Sequence, residues 1–136
     1  MINVPWINRQ KTADGPVVVM ASRLQLSGRR SVPLFLYLSL GTFLQVLRAP
    51  GVAGAALKAE PLKGCFWTLS SWQDKKSIAA YSASDPHRST VERLRPRMAS
   101  SRFLIYEVQG KPGWADAIQR IRTEDAAAAA EPTPTA

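Results

Sequence analysis

The 136-residue chain has one cysteine, Cys65, and one histidine, His87. A lone cysteine forms no intramolecular disulfide, and no CxxC pair or Cys/His spacing is present to hold zinc, so disulfide scaffolds and zinc folds are excluded. No Ser-His-Asp order, paired-carboxylate site or glycine-rich phosphate loop stands out, which removes hydrolase, glycosidase and nucleotide-hydrolysing readings. Acidic residues are also few, 10 against 18 lysines and arginines, for a net charge of +8. That balance favours anionic partners such as nucleic acid, phosphate-bearing ligands or a membrane surface, and says nothing about fold.

Long apolar runs are scarce as well. The longest, "VPLFLYLSLGTFLQVL" from Val32 to Leu47, has 16 residues and contains Pro33, Gly41 and Gln45. It falls short of the roughly 20 residues that a bilayer requires, so it reads as a buried helix and not as a span. Arg29, Arg30 and Arg48 flank it, which keeps peripheral membrane contact as the remaining membrane reading. The start, "MINVPWINRQKTADG", lacks the charged-then-apolar order of a secretory signal and reads as an arm. With the single cysteine, this makes a cytoplasmic location the expectation.

What is present is ordinary globular composition, 46% hydrophobic and 21% charged, in a length that fits one domain. The β-branched run after Asp14-Gly15-Pro16 predicts a strand from Val17 to Leu24. Ser31 can cap a helix that accepts Pro33 in its first turn and runs to Leu47. Val52 to Ala59 and Cys65 to Trp72 predict a hairpin across the turn Pro61 to Gly64. Ser71-Trp-Gln-Asp74 has the capping-box pattern, with Ser71 as the expected cap of a helix through Tyr81. Asp85-Pro86 opens a second helical piece carrying His87, Val91 and Leu94, which Pro96 ends. "FLIYEV", Phe103 to Val108, predicts the last strand, followed by an amphipathic helix from Trp114 to Arg122.

The order strand, helix, strand, strand, helix, strand is the ferredoxin-like split βαβ arrangement, α+β, with a four-stranded antiparallel sheet. Its expected organisation is an arm over residues 1–15, the ferredoxin-like domain over 16–110, a C-terminal helix over 111–124 and a disordered tail over 125–136. Alternation places Val17, Val19, Phe103 and Ile105 on one face of the sheet and Val18, Met20, Leu104, Tyr106 and Val108 on the other. Both faces are then apolar, and a homodimer packed sheet to sheet is the expected cover, with the C-terminal helix as the alternative.

The stretches "LRAPGVAGAALKAEPLKGCFWTLSSWQD", Leu47 to Asp74, and "YSASDPHRSTVERLRPRM", Tyr81 to Met98, resemble the dimeric α+β barrel superfamily. Those proteins include the antibiotic-biosynthesis monooxygenases and their haem-dependent relatives, and the likeness is nearest to a spheroidene-monooxygenase-like branch. It covers about Val17 to Val108. The resemblance implies a pocket between the sheet and its helices, in which members oxygenate aromatic polyketides or carotenoids or degrade haem. Fold alone does not choose among these chemistries.

Candidate residues follow. Trp67 and Trp72 are five apart, so strand alternation sends them to opposite faces and only one can enter a pocket; as a plain reading both are core. Phe35, Tyr37, Phe43, Trp67 and Tyr81 are the expected pocket residues, and Thr68, Ser70, Ser71 and Tyr81 could orient a polar ligand by hydrogen bonds, with Ser71 read first as the helix cap. His87 is the catalytic candidate, as a proton carrier or, by the resemblance, as the axial ligand of a haem; otherwise it is a helix-start or surface residue. Arg88 and Arg95, within a basic run that also holds Arg93, Arg97 and Arg102, are the candidate clamp for a carboxylate or phosphate, or else a solvated helix face. The expected partners are a second copy and a hydrophobic polycyclic or isoprenoid small molecule. The function so read is monooxygenase-like, with a non-catalytic binding or dimerisation module as the alternative. RNA binding is the minor alternative, since "KGCFWTLS" matches the octamer of RNA-recognition motifs only at Lys63, Gly64 and the aromatic Trp67; no nucleic-acid partner is expected.

Overall fold

The computed structural model describes residues 2–8, 16–85 and 87–130. In chain order these form β1 (Ile2–Asn8), β2 (Pro16–Leu26), α1 (Val32–Arg48), β3 (Val52–Glu60), β4 (Cys65–Trp72), α2 (Lys75–Ala83), α3 (His87–Leu94), β5 (Met98–Gln109) and α4 (Trp114–Ala130). All strand pairs are antiparallel, in the order β1-β3-β4-β2-β5. Strands β2 to β5 with α1 and the α2–α3 pair make the expected ferredoxin-like unit.

The sheet has five strands where the sequence reading had four. The extra one is β1, from the expected arm, which pairs along the outer edge of β3 from Ile2↔Ala59 to Asn8↔Gly54. Its register slips between Val4 and Ile7, around Pro5, and an edge strand is where a proline that cannot donate to the ladder is tolerated. The rest of the arm, residues 9–15, lies outside the described residues. Inside the bend, the Trp6 indole lies flat over Gly54, where a Cβ would sit within its ring atoms. Trp6 Nε1 donates to Asn8 Oδ1 at 2.6 Å.

Register, not alternation within single strands, decides which residues share a face. Met20 pairs with Ile105 and Ser22 with Phe103, whereas Val19 pairs with Tyr106 and Val17 with Val108. Val17 and Val19 therefore share their face with Leu104, Tyr106 and Val108, and not with Phe103 and Ile105 as expected. Alternation fixes the two faces of each strand, but only the pairing tells which face of one strand continues which face of the next.

Both faces are apolar, as expected. On one, α1, α2 and α3 pack two clusters centred on Trp72, Val46 and Ile78 and on Phe35, Phe66 and Leu94. On the other, Ala117 and Ile121 of α4 seal a cluster of Val19, Ala21, Cys65, Trp67 and Leu69. Of the two expected covers for that face, a second copy or the C-terminal helix, this chain supplies the helix: α4 covers it. The helix also runs eight residues past the expected end at Arg122, through Ala130. Alanines 126–130 are the best helix formers available, so the expected tail is helical up to residue 130, and residues 131–136 lie outside the described residues.

Of the two expected caps, Ser31 stands at the N-cap position of α1 without a capping bond, and Ser71 is not the cap of α2. Ser71 is buried in β4, and α2 starts after the far end of the S-x-x-D pattern, where Asp74 Oδ1 accepts from the Ser77 backbone N–H at 2.8 Å and from its hydroxyl at 2.7 Å. Ser31 makes no capping bond; its hydroxyl oxygen accepts from Arg97 Nη1 at 3.1 Å, tying the start of α1 to the turn after α3.

Candidate functional site

A cavity of about 340 Å³ opens between β2, β4 and β5 on one side and α1 and α3 on the other. Its walls are apolar: Met20, Leu24 and Phe103 from the sheet, Phe35 and Phe43 from α1, and Leu94 from α3. Its floor is polar, because β2 and β4 place Ser22, Thr68 and Ser70 side by side on the helix face. The Ser22 and Thr68 hydroxyls hydrogen-bond each other. Ser70 Oγ accepts from Trp72 Nε1 at 2.8 Å and donates to the Met20 carbonyl at 3.4 Å. Trp72, fully buried, thus orients a hydroxyl of the floor without lining the cavity.

An aromatic ladder leads from the core to the cavity. Trp72 and Tyr81 have ring centroids 5.3 Å apart, and Tyr81 and His87 4.7 Å apart. Tyr81 donates its hydroxyl to the Thr42 carbonyl at 3.3 Å, and burial pushes its phenol well above the usual range, so it stays neutral. His87 is half-buried on the cavity wall, and burial holds its imidazole below the ordinary value despite the opposing pull of the Ser82 carbonyl. That carbonyl lies 3.3 Å from Nδ1 and can only accept. Nδ1 therefore carries the proton of the neutral ring, and Nε2 is left as its basic nitrogen. The α3 start is held by Gln45 of α1, whose side-chain oxygen accepts from the His87 backbone N–H at 2.7 Å.

Comparison with solved structures returns the same architecture. SnoaB, a cofactor-independent oxygenase from Streptomyces nogalater, superposes with a TM-score of 0.58 at 16% identity, over 74% of this chain and 98% of that one. A protein from Nitrosomonas europaea, described as a candidate antibiotic biosynthesis monooxygenase, gives a TM-score of 0.60 at 15% identity over 66% of this chain and 88% of that one. This chain has the antibiotic-biosynthesis-monooxygenase fold. A conserved protein from Methanosarcina mazei Go1 shares it, with a TM-score of 0.58 and 17% identity over 70% of this chain and 93% of that one. No family model matches the sequence, and no curated protein does. At such identities the likeness is one of fold.

On this monooxygenase fold, five of the eight expected residues meet at the cavity: Phe35, Phe43, Tyr81, His87 and Arg95. Three do not. Tyr37 is 74% exposed on the outer side of α1, two residues round the helix from Phe35. Trp67 sits 8% exposed under α4, on the opposite face of the sheet, because β4 runs straight through both tryptophans. Its ring has no free face to stack on a base or a cofactor. Arg88 points to solvent and pairs with Glu92 at 3.6 Å, which leaves Arg95 alone at the cavity rim. Missed by sequence reasoning were the hydroxyls of Ser22, Ser39, Thr42 and Thr90, all on the cavity lining. A polar residue at Ser22, between Met20 and Leu24 on an otherwise apolar strand face, was the available signal. Among the described residues no group of three or more His, Cys, Asp or Glu could hold a metal ion.

Proposed function

We propose that this chain is a monooxygenase-like protein that binds a hydrophobic, ring-bearing molecule with an oxygen substituent and supports its oxygenation without a metal cluster. One observation carries the reading: an apolar cavity of about 340 Å³ has hydroxyls on its floor and one neutral imidazole on its wall. That volume lies at the small end of pockets for drug-sized ligands. Phe35, Phe43 and Phe103 would sandwich the rings, and Ser22 and Thr68 would hydrogen-bond a keto or hydroxyl group at the edge. His87 Nε2 would accept the proton of an acidified CH2 group, leaving an electron-rich anion that passes an electron to dioxygen; the carbon radical and superoxide then join as a peroxide, which takes back the proton and loses water to leave a carbonyl. The fold shared with a cofactor-independent oxygenase supports this ordering over a purely structural module.

Oxygen uptake with anthrone-type and polyene substrates tests it. Turnover by the wild type that falls at least tenfold in His87→Ala carries the enzyme reading. Saturable ligand binding with no uptake leaves the non-catalytic binding module.

A haem-linked second reading rests on His87 as well. A ring nitrogen held by a backbone carbonyl is the usual support of a metal-bound histidine, and Arg95 on the cavity lining would be the residue to pair with a propionate. Haem would then supply one-electron and dioxygen chemistry. A Soret band that sharpens with the wild type and not with His87→Ala carries this reading; a flat response removes it.

A homodimer belongs to the proposal through another surface than the one expected. β5 is a long edge strand with Phe103 and Ile105 half-exposed, which suits pairing with a second copy better than the face under α4. Light scattering tests it.

A further inference from the structure

The helix α1 is 17 residues long, and no residue from Ser31 to Leu47 is charged. Its sheet side buries Val32, Phe35, Ser39 and Val46. On the opposite side Pro33, Tyr37, Leu40, Gly41, Leu44 and Arg48 are all exposed. At the α-helical period these positions fall within one stripe about 100° wide, running the helix length of about 25 Å. Leu40 is 56% and Leu44 52% exposed. An ordinary surface helix carries charge on such a stripe, and this one carries it only at Arg48. A contiguous apolar surface of that extent marks a contact face.

Charge selects the partner. Arg29 and Arg30 stand exposed before the helix and Arg48 at its end. The helix layer, residues 29–48 and 74–97, holds nine lysines and arginines against three acidic residues. A second copy stacked along the stripe, parallel or antiparallel, would bring arginine-bearing ends together, like charge on like. With the turn before it, the segment Arg29–Arg48 is long and apolar enough to cross a membrane by length and composition, and only 22% of its apolar 18-residue window is buried. It packs lengthwise on the sheet through Phe35 and Val46, so its outer stripe is offered to a surface that lies parallel to the helix.

We infer that α1 docks this protein flat on an anionic lipid bilayer. Tyr37, Leu40 and Leu44 enter the boundary between headgroups and acyl chains, and Arg29, Arg30 and Arg48 meet headgroup phosphates. The geometry is that of an interfacial amphipathic helix whose basic residues sit at its ends. It stands whatever the cavity holds.

Vesicle flotation of the full chain tests it, with phosphatidylcholine vesicles alone and with about 30 mol % phosphatidylglycerol. The expected result is binding to the anionic vesicles that weakens in high salt and falls more than tenfold in the Leu40→Glu, Leu44→Glu double variant. Arg30→Glu with Arg48→Glu weakens it too. Ala115→Glu, at an exposed position of α4 on the opposite face of the sheet, keeps wild-type binding. Circular dichroism of each variant, with fold retained because the sites are exposed, makes the losses readable. No binding to anionic vesicles overturns the inference, as does binding indifferent to Leu40→Glu, Leu44→Glu or lost equally in Ala115→Glu. A wild-type dimer that the double variant turns into a monomer makes the stripe a self-interface and overturns it as well.

Discussion

Arg23 and Asp125, 102 positions apart in the chain, form a two-pronged ion pair: Nε to Oδ2 and Nη2 to Oδ1, each at 3.1 Å. Arg102, the register partner of Arg23 on β5, adds its Nε to Oδ1 at 3.0 Å. One carboxylate thus bridges two neighbouring guanidiniums, leaving the trio with one net positive charge, and pins α4 across the sheet. Asp125→Asn should cost about 1 kcal/mol in urea unfolding, the range of a well-formed but part-exposed pair. It should also raise hydrogen exchange in the last turns of α4.

The same pair predicts an acid response. Burial raises the Asp125 carboxyl, but the hydrogen bonds and charges of Arg23 and Arg102 outweigh it, and the net shift is downward. A depressed carboxylate contributes stability that is present above the ordinary aspartate value, about 3.9, and is lost as pH falls through the lower folded value. Unfolding midpoints measured below about pH 4 should therefore fall faster for the wild type than for Asp125→Asn.

Gly54 and Trp6 make a second test. A Cβ at residue 54 would lie within the indole, so Gly54→Ala must push the ring away and, with it, β1 from β3. The expected cost is about 1–3 kcal/mol, with a red shift of tryptophan emission as Trp6 is exposed. Adding Trp6→Ala should restore part of the loss, because the obstacle is then gone, and a double-mutant cycle would read this as coupling between the two sites.

How far the sequence went depended on the range of the interaction that decided each feature. Local signals were enough for β4, whose bounds Cys65 and Trp72 were expected, and for the break between α2 and α3 at Asp85. They were also enough to separate Trp67 from Trp72, since alternation is a property of one strand. They failed where a distant partner decides. The role of β1 depends on its pairing with β3, the face shared by Val19 and Tyr106 depends on register, and the persistence of α4 past Arg122 depends partly on Arg23, a hundred residues away. The cavity aromatics Phe35 and Phe43 were legible from the apolar face of α1, while Tyr37 was misplaced because an uncharged helix has no polar side to mark what faces out. Of the floor hydroxyls, Thr68 and Ser70 were legible on β4, while Ser22 was missed because it joins Thr68 only when β2 and β4 meet in register.

His87 should show its burial in a titration. Its folded value lies below the ordinary 6.5 or so, so the unfolded chain takes up the proton first as pH falls. The contribution of this group to stability is full above about pH 6.5 and is lost as pH drops through the folded value. Carbon-bound imidazole protons followed by NMR should give a midpoint under that of a free histidine, and His87→Gln should flatten the stability profile over the same window. A midpoint at or above 6.5 would place the ring in water or beside an acid, contrary to its packing on Tyr81.

The floor of the cavity separates two ligand classes. Thr68→Val removes one hydroxyl and leaves the buried Ser22 hydroxyl without its partner, at a cost of about 1 kcal/mol; Ser22→Ala with Thr68→Val removes both and should regain most of that. The double variant then has a cavity of nearly the same size with a more apolar floor. A ring ligand with a keto or hydroxyl edge loses its hydrogen bonds there and should bind about tenfold more weakly, by tryptophan quenching or calorimetry. A pure hydrocarbon of isoprenoid type gains a dry surface in place of hydroxyls it could not satisfy, and should bind the double variant at least as tightly as the wild type. Because the two classes move in opposite directions on the same pair of substitutions, the comparison names the kind of molecule the cavity selects without requiring the reaction to be known.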